Sequence, residues 1–123
     1  MTYSPAHQAV EFEDLPTLRE LLDNGHSVED PGEDGWTLLH HAIDMEIDAH
    51  HQTGKPLHVD VTAYLLARGA NPLATSPKHG TPLQEAERRR HWLAAEIIRA
   101  WIARRETPEN ENYASGGGAP APG

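Results

Sequence analysis

Three stretches of the chain repeat one short pattern at matching intervals, and that regularity constrains the fold more than any single residue does. Ser4-Pro5-Ala6-His7-Gln8-Ala9-Val10 opens the first, Thr37-Leu38-Leu39-His40-His41-Ala42-Ile43 the second and Thr81-Pro82-Leu83-Gln84-Glu85-Ala86-Glu87 the third. A second landmark follows the first two openings: Leu21-Leu22 before Asn24-Gly25, and Leu65-Leu66 before Arg68-Gly69-Ala70-Asn71. Ser4 to Leu21 is seventeen residues, as is Thr81 to Ile98, and twelve residues separate Gly25 from Thr37 and Gly69 from Thr81. Only Thr37 to Leu65 departs from the register, at twenty-eight, which places an insertion of eleven residues between Ile43 and Val59.

Each opening suits a helix start. A Thr or Ser hydroxyl accepts from a free backbone N–H, and Pro sits harmlessly in the first turn. Gly25 and Gly69 follow helical runs where a left-handed cap is needed. The pattern predicts six helices in three pairs, near residues 4–12, 15–23, 38–51, 59–67, 82–89 and 92–106. Val28 to Trp36, with Pro31-Gly32 at its tip, and Pro72 to Gly80 are the expected hairpin-like connections. Residues 107–123 are dominated by Glu, Asn, Gly and Pro and are expected to be a disordered tail.

The three openings resemble the T-P-L-H-x-A motif of the ankyrin repeat, and the interval, insertion aside, is close to that repeat's period of about 33 residues. The resemblance spans about residues 4–105. It implies an all-α ankyrin-repeat solenoid of helix-turn-helix pairs with projecting hairpin-like fingers. Residues 1–106 would form three repeats, at about 4–32, 33–75 with the insertion near 44–58, and 76–106. It assigns structural roles to Ser4, His7, Gly25, Thr37, His40, Gly69 and Thr81, the histidines bonding within and between repeats, and close helix packing to Ala9, Ala42 and Ala86. Leu38 stands where the motif has Pro, Gln84 where it has His, and Pro72-Leu73 where a more polar finger normally begins. The resemblance also implies a partner-binding surface on finger tips and inner helices. Glu33, Asp34, Trp36, His41, Asp44 and Met45 fall on it in the middle repeat, with Lys78, His79, Arg88 and Arg89 as counterparts in the third.

Several function classes are excluded or disfavoured by composition. The chain has no cysteine, which removes disulfides, thiol nucleophiles and Cys-type zinc sites. No stretch approaches the roughly 18 apolar residues of a membrane span, and no cationic and then apolar segment opens the chain, so a cytoplasmic protein is expected. Residues 1–60 hold thirteen of the nineteen acids against Arg19 and Lys55, whereas residues 61–123 hold eight basic residues against six acids. An acidic half of this kind repels phosphate backbones and draws a basic protein partner. No nucleic acid, membrane or cofactor is expected, and the chain is expected to be monomeric.

The insertion carries the one pattern that raises metal binding. Five of the nine histidines lie between His40 and His58. Ile43 and Ile47 continue an apolar stripe, so the middle inner helix is expected to run on about two turns, bringing Asp44, Asp48 and His51 to one face. The competing reading is a solvated rim, with His50 and His51 favoured by the dipole at a helix C-terminus. There is no H-E-x-x-H and no EF-hand loop, and metal is not assigned.

The first finger carries Glu29, Asp30, Glu33 and Asp34 before Trp36, which reads either as a recognition hot spot or as a Trp covering the next finger among solvated acids. Arg88-Arg89-Arg90 with Arg99, Arg104 and Arg105 could bind phosphate or an acidic partner, or form the polar face of an end cap. Trp92, Ile97, Ile98 and Trp101 are expected to be the core of that cap. No catalytic motif is present: no G-x-S-x-G and no phosphate-cradling glycine loop. The expected function is a protein-interaction module of the small inhibitor or immunity type. A generic scaffold and a metal-dependent sensor or enzyme are the alternatives.

Overall fold

The computed structural model describes residues 3–32 and 35–106; Glu33, Asp34 and the expected tail 107–123 lie outside the described residues. It contains α1 (Pro5–Glu11), α2 (Leu15–Asp23), α3 (Leu38–Thr53), α4 (Asp60–Ala67), α5 (Pro82–Arg89) and α6 (Trp92–Glu106). No strand is present among the described residues, and no helix there is long and apolar enough to cross a membrane. Successive helices pack as antiparallel pairs, α1 on α2, α3 on α4 and α5 on α6. The inner helices α1, α3 and α5 then stack side by side, with α4 against α6 behind them. This is an all-α repeat solenoid.

Local chemistry explains the helix starts. Ser4, Asp14, Thr37 and Thr81 each accept from a backbone N–H three residues on. Thr37 and Thr81 form reciprocal caps, because His40 and Gln84 reach back to accept the cap residue's own N–H, at 3.2 Å and 2.9 Å. Gln84 therefore does half of the motif histidine's work. The other half is the link onward: His40 Nε2 donates to the carbonyl of Gly80 at 2.8 Å, tying the middle pair to the second finger. Gly80 itself is left-handed, at φ +72°, and a Cβ there would collide with Gln84 Oε1, the atom that closes the Thr81 cap. Gly80→Ala should therefore cost about 1–2 kcal/mol in chemical denaturation; a loss below about 0.3 kcal/mol would mean that neither constraint matters.

The core is a continuous layer of small and aliphatic side chains. Ala6, Ala42 and Ala86 are fully buried where the inner helices meet their partners, with Leu18, Leu38, Ile43, Leu65, Leu66 and Ile98 filling the space between. α3 runs 16 residues against 7 for α1 and 8 for α5, ending at Gly54 in the left-handed conformation. Its extra turns are held from below. Glu46, wholly buried, accepts from the backbone N–H groups of Val61 and Thr62, each at 2.9 Å, and from Thr62 Oγ1 at 2.7 Å. It thereby caps α4, whose own N-cap residue, Val59, makes no side-chain bond. The same carboxylate faces Nε2 of buried His91 at 2.8 Å, and His91 Nδ1 accepts from Ala94 N–H, so His91 donates to Glu46 and caps α6 with its other nitrogen.

The loop after α3 folds back on the first pair. His50 Nδ1 meets the carbonyl of Lys55 at 2.6 Å, and His58 Nε2 meets Glu13 Oε1 at 2.5 Å. Burial would lower the affinity of His58 for its proton, but the Glu13 bond and charge hold it above the ordinary value.

Candidate protein-binding surface

Trp36 lies where the first finger returns to α3, and its indole is the hub of an aromatic stripe. It stacks on His41 at 4.2 Å between centroids, with His7 at 6.0 Å, His79 at 6.0 Å and Tyr3 at 6.4 Å. Tyr3 precedes α1, His7 lies on α1, His41 on α3 and His79 on the second finger, so the stripe runs from the first pair across the middle pair to the finger that leads into α5. Trp36 is half-buried, and its Nε1–H is buried with no acceptor among the described residues.

Two residues expected to face a partner lie beneath this surface instead. His41 is fully buried: Nδ1 faces His7 Nδ1 at 2.9 Å, and Nε2 faces Glu11 Oε1 at 2.7 Å. Burial lowers its proton affinity, and the Glu11 bond opposes that shift. Asp44 is 8% exposed and lies 2.9 Å from Arg89 Nη1, while Arg89 Nη2 reaches Asp48 at 2.5 Å. Burial raises the Asp44 carboxyl, and the guanidinium only partly offsets it. Arg89 is thus spent internally, and it bridges α3 and α5. Met45 is half-buried, Lys78 is exposed and His79 is half-buried. Arg88 is exposed and bonds to the buried Glu85, which also lies 3.6 Å from His79 Nδ1.

The first finger's acids are likewise engaged where they are described. Asp30 accepts from Ser4 Oγ and meets His26 Nε2 at 2.8 Å, while its carbonyl accepts from His7 Nε2 at 3.1 Å. Burial alone would raise the Asp30 carboxyl; the Ser4 and His26 bonds hold it below its usual value. Glu29 accepts from the Asn71 backbone at 2.6 Å, joining the finger to the next repeat. Gly32 N–H donates to the Trp36 carbonyl at 2.9 Å, and a Cβ on Gly32 would sit 2.8 Å from that oxygen.

The structure does not gather the metal candidates. Asp44 and Asp48 come together around Arg89, a cation already in place, and His51 is exposed beyond them. No group of three or more His, Asp or Glu able to hold a metal ion occurs among the described residues. Within the third pair, Ile98 is buried and Ile97 and Trp101 pack against the core, but Trp92, expected beside them, is 60% exposed. It opens α6 and lines a surface cleft with Glu87, Arg90 and Glu96. The buried pair Glu46 and His91 went unread in the sequence. The available signal was the weak start of α4 at Val59, a helix start that needs an acceptor from elsewhere.

Comparison with known proteins agrees with the helix pairing. Residues 6–50 match the family model for ankyrin repeats in many copies, and residues 34–77 match that for the ankyrin repeat. No curated protein matches the chain. Ankyrin repeats are protein-interaction modules, and with its helix pairs, capped openings and matched residues this chain belongs to the ankyrin-repeat family.

Proposed function

We propose that the chain is a non-catalytic binder that takes a segment of another protein across the Tyr3–Trp36–His79 stripe. The observation that carries this reading is Trp36: a large, half-buried ring held on a stacked histidine base, at the centre of a stripe whose Tyr3 is exposed. A ring of this kind buries much area at little entropic cost when a partner covers it. His79 borders the ring and His41 stacks on it, and Met45, Lys78 and Arg88 are the further residues assigned to the adaptable rim. The acid excess of residues 1–60 supports a partner with a basic surface, and a compact acidic repeat protein suits the role of an inhibitor or immunity-type protein occupying a cationic cleft. The absence of cysteine suits a cytoplasmic setting.

Affinity capture with the whole chain, followed by mass spectrometry, tests the reading. Trp36→Ala should weaken the main captured protein by about 30-fold or more, the effect of losing a central aromatic anchor. Charge reversal at Glu33 and Asp34 should weaken it further at low salt. Capture of the same protein at full strength by Trp36→Ala would move the interface elsewhere, and an acidic captured partner would remove the inhibitor reading.

A further inference from the structure

α5 and α6 pack on the middle pair from one side, and among the described residues nothing covers their other side. A helix pair with no further repeat packed on it normally turns a polar face to water. Here that face carries Trp92, 60% exposed, on the wall of a cleft of about 410 Å³ that lies over the buried Ala86 and Ala95 and is rimmed by Glu87, Arg90, Glu96 and Arg99. Arg99 bonds to Glu87 at 2.8 Å and closes one edge. Arg90 and Glu96 line the same cleft, and neither side chain has a partner among the described residues. Arg90 is also left-handed, at φ +63°, where an L-residue with a side chain is strained and glycine would be relaxed.

An Arg and a Glu without partners among the described residues, an exposed indole and a cleft with a charged rim on one face form a self-complementary set. A two-fold interface requires this, because each copy must supply both halves of every contact. We propose that this end face pairs with the same face of a second copy of the chain. The exposed Trp92 rings of the two copies cover each other across the two clefts, and Arg90 of each copy meets Glu96 of the other. The inference is independent of the Trp36 surface, which lies on the side of the fingers. With one anchor ring and one charge pair supplied by each copy, the dimer should be weak, with a Kd of roughly 10–100 µM.

Sedimentation of the full chain over roughly 5 µM to 1 mM brackets that range. A monomer–dimer equilibrium is expected. Trp92→Ala should weaken it at least about 10-fold with an unchanged circular dichroism spectrum. Arg90→Glu and Glu96→Arg should each weaken self-association, and an equimolar mixture of the two variants should form a mixed dimer, since every facing charge is then opposite. Trp36→Ala should leave the dimer intact. A monomer throughout the range, a dimer indifferent to Trp92→Ala, open-ended growth or no mixed dimer would each overturn the proposal.

Discussion

Glu46→Ala should destabilise the protein by about 3–5 kcal/mol in chemical denaturation, the largest loss expected from one side chain here. Glutamate is almost never fully buried without partners, and Glu46 has four: two backbone N–H groups at the start of α4, the Thr62 hydroxyl and His91 Nε2. The first two place its charge at the positive end of a helix dipole, which stabilises it further. Removing the carboxylate leaves all four donors without an acceptor in a site closed to water, and adds a cavity of several carbons. Glu46→Gln keeps the volume but turns an amide donor toward donors, so an intermediate loss of about 1–2 kcal/mol is expected. The effects of Glu46→Ala and His91→Ala should fall short of additivity by more than about 1 kcal/mol, since each removes the other's partner. A loss under about 1 kcal/mol for Glu46→Ala would mean that water enters and satisfies the site. A folded domain of this size has only about 5–15 kcal/mol in all, so the insertion helix bears much of the stability of the second and third pairs.

The legible parts of the fold were those written in short-range chemistry. The Thr37–His40 and Thr81–Gln84 caps lie three residues apart, and the helix bounds follow from them and from Gly, Asn and Pro signals within about two residues. Contacts that depend on which elements become neighbours were not legible. Glu46 and His91 are 45 residues apart, His58 and Glu13 are also 45 apart, and Asp48 and Arg89 are 41 apart. The resemblance sets Asp44 on a partner surface, and the sequence sets Asp30 among the acids of the first finger; only the fold brings Ser4, His26 and Arg89 to them. Trp92 failed in the opposite direction. Its apolar neighbours in α6 suggest a core position, but Trp92 opens the helix and is 60% exposed on the wall of a surface cleft.

Acidification should destabilise the protein steeply just below neutrality, because three buried histidines belong to the fold in their neutral form. Burial holds His7, His40 and His41 below the ordinary value of 6.5. For each, the unfolded chain binds a proton near pH 6.5 that the folded chain refuses until a lower pH, so stability falls as the pH drops through that window. The slope reaches about 1.4 kcal/mol per pH unit for each such histidine, or about 4 kcal/mol for three. His40 gives the atomic reason: Nδ1 accepts the Thr37 N–H, and a proton there would abolish that cap. His58 has the opposite sign. Held above 6.5 by Glu13, it contributes fully below that pH and loses its contribution as the pH rises through its folded value. Stability should therefore pass through a maximum near neutrality, with a steep acid limb and a shallow alkaline one. Asp30, held below its usual 3.8, is lost only at more acid pH, and Asp44, raised by burial, works against the acid loss. His58→Gln should flatten the alkaline limb alone. His40→Gln is the sharper variant, because Gln84 makes the same reciprocal cap in the third repeat. It should cost about 1 kcal/mol at pH 7 for the lost Gly80 link and take about 1.4 kcal/mol per pH unit off the acid slope. Denaturant midpoints measured between pH 8 and pH 5 decide it: an acid limb that keeps its full slope in His40→Gln would assign the proton uptake to other groups.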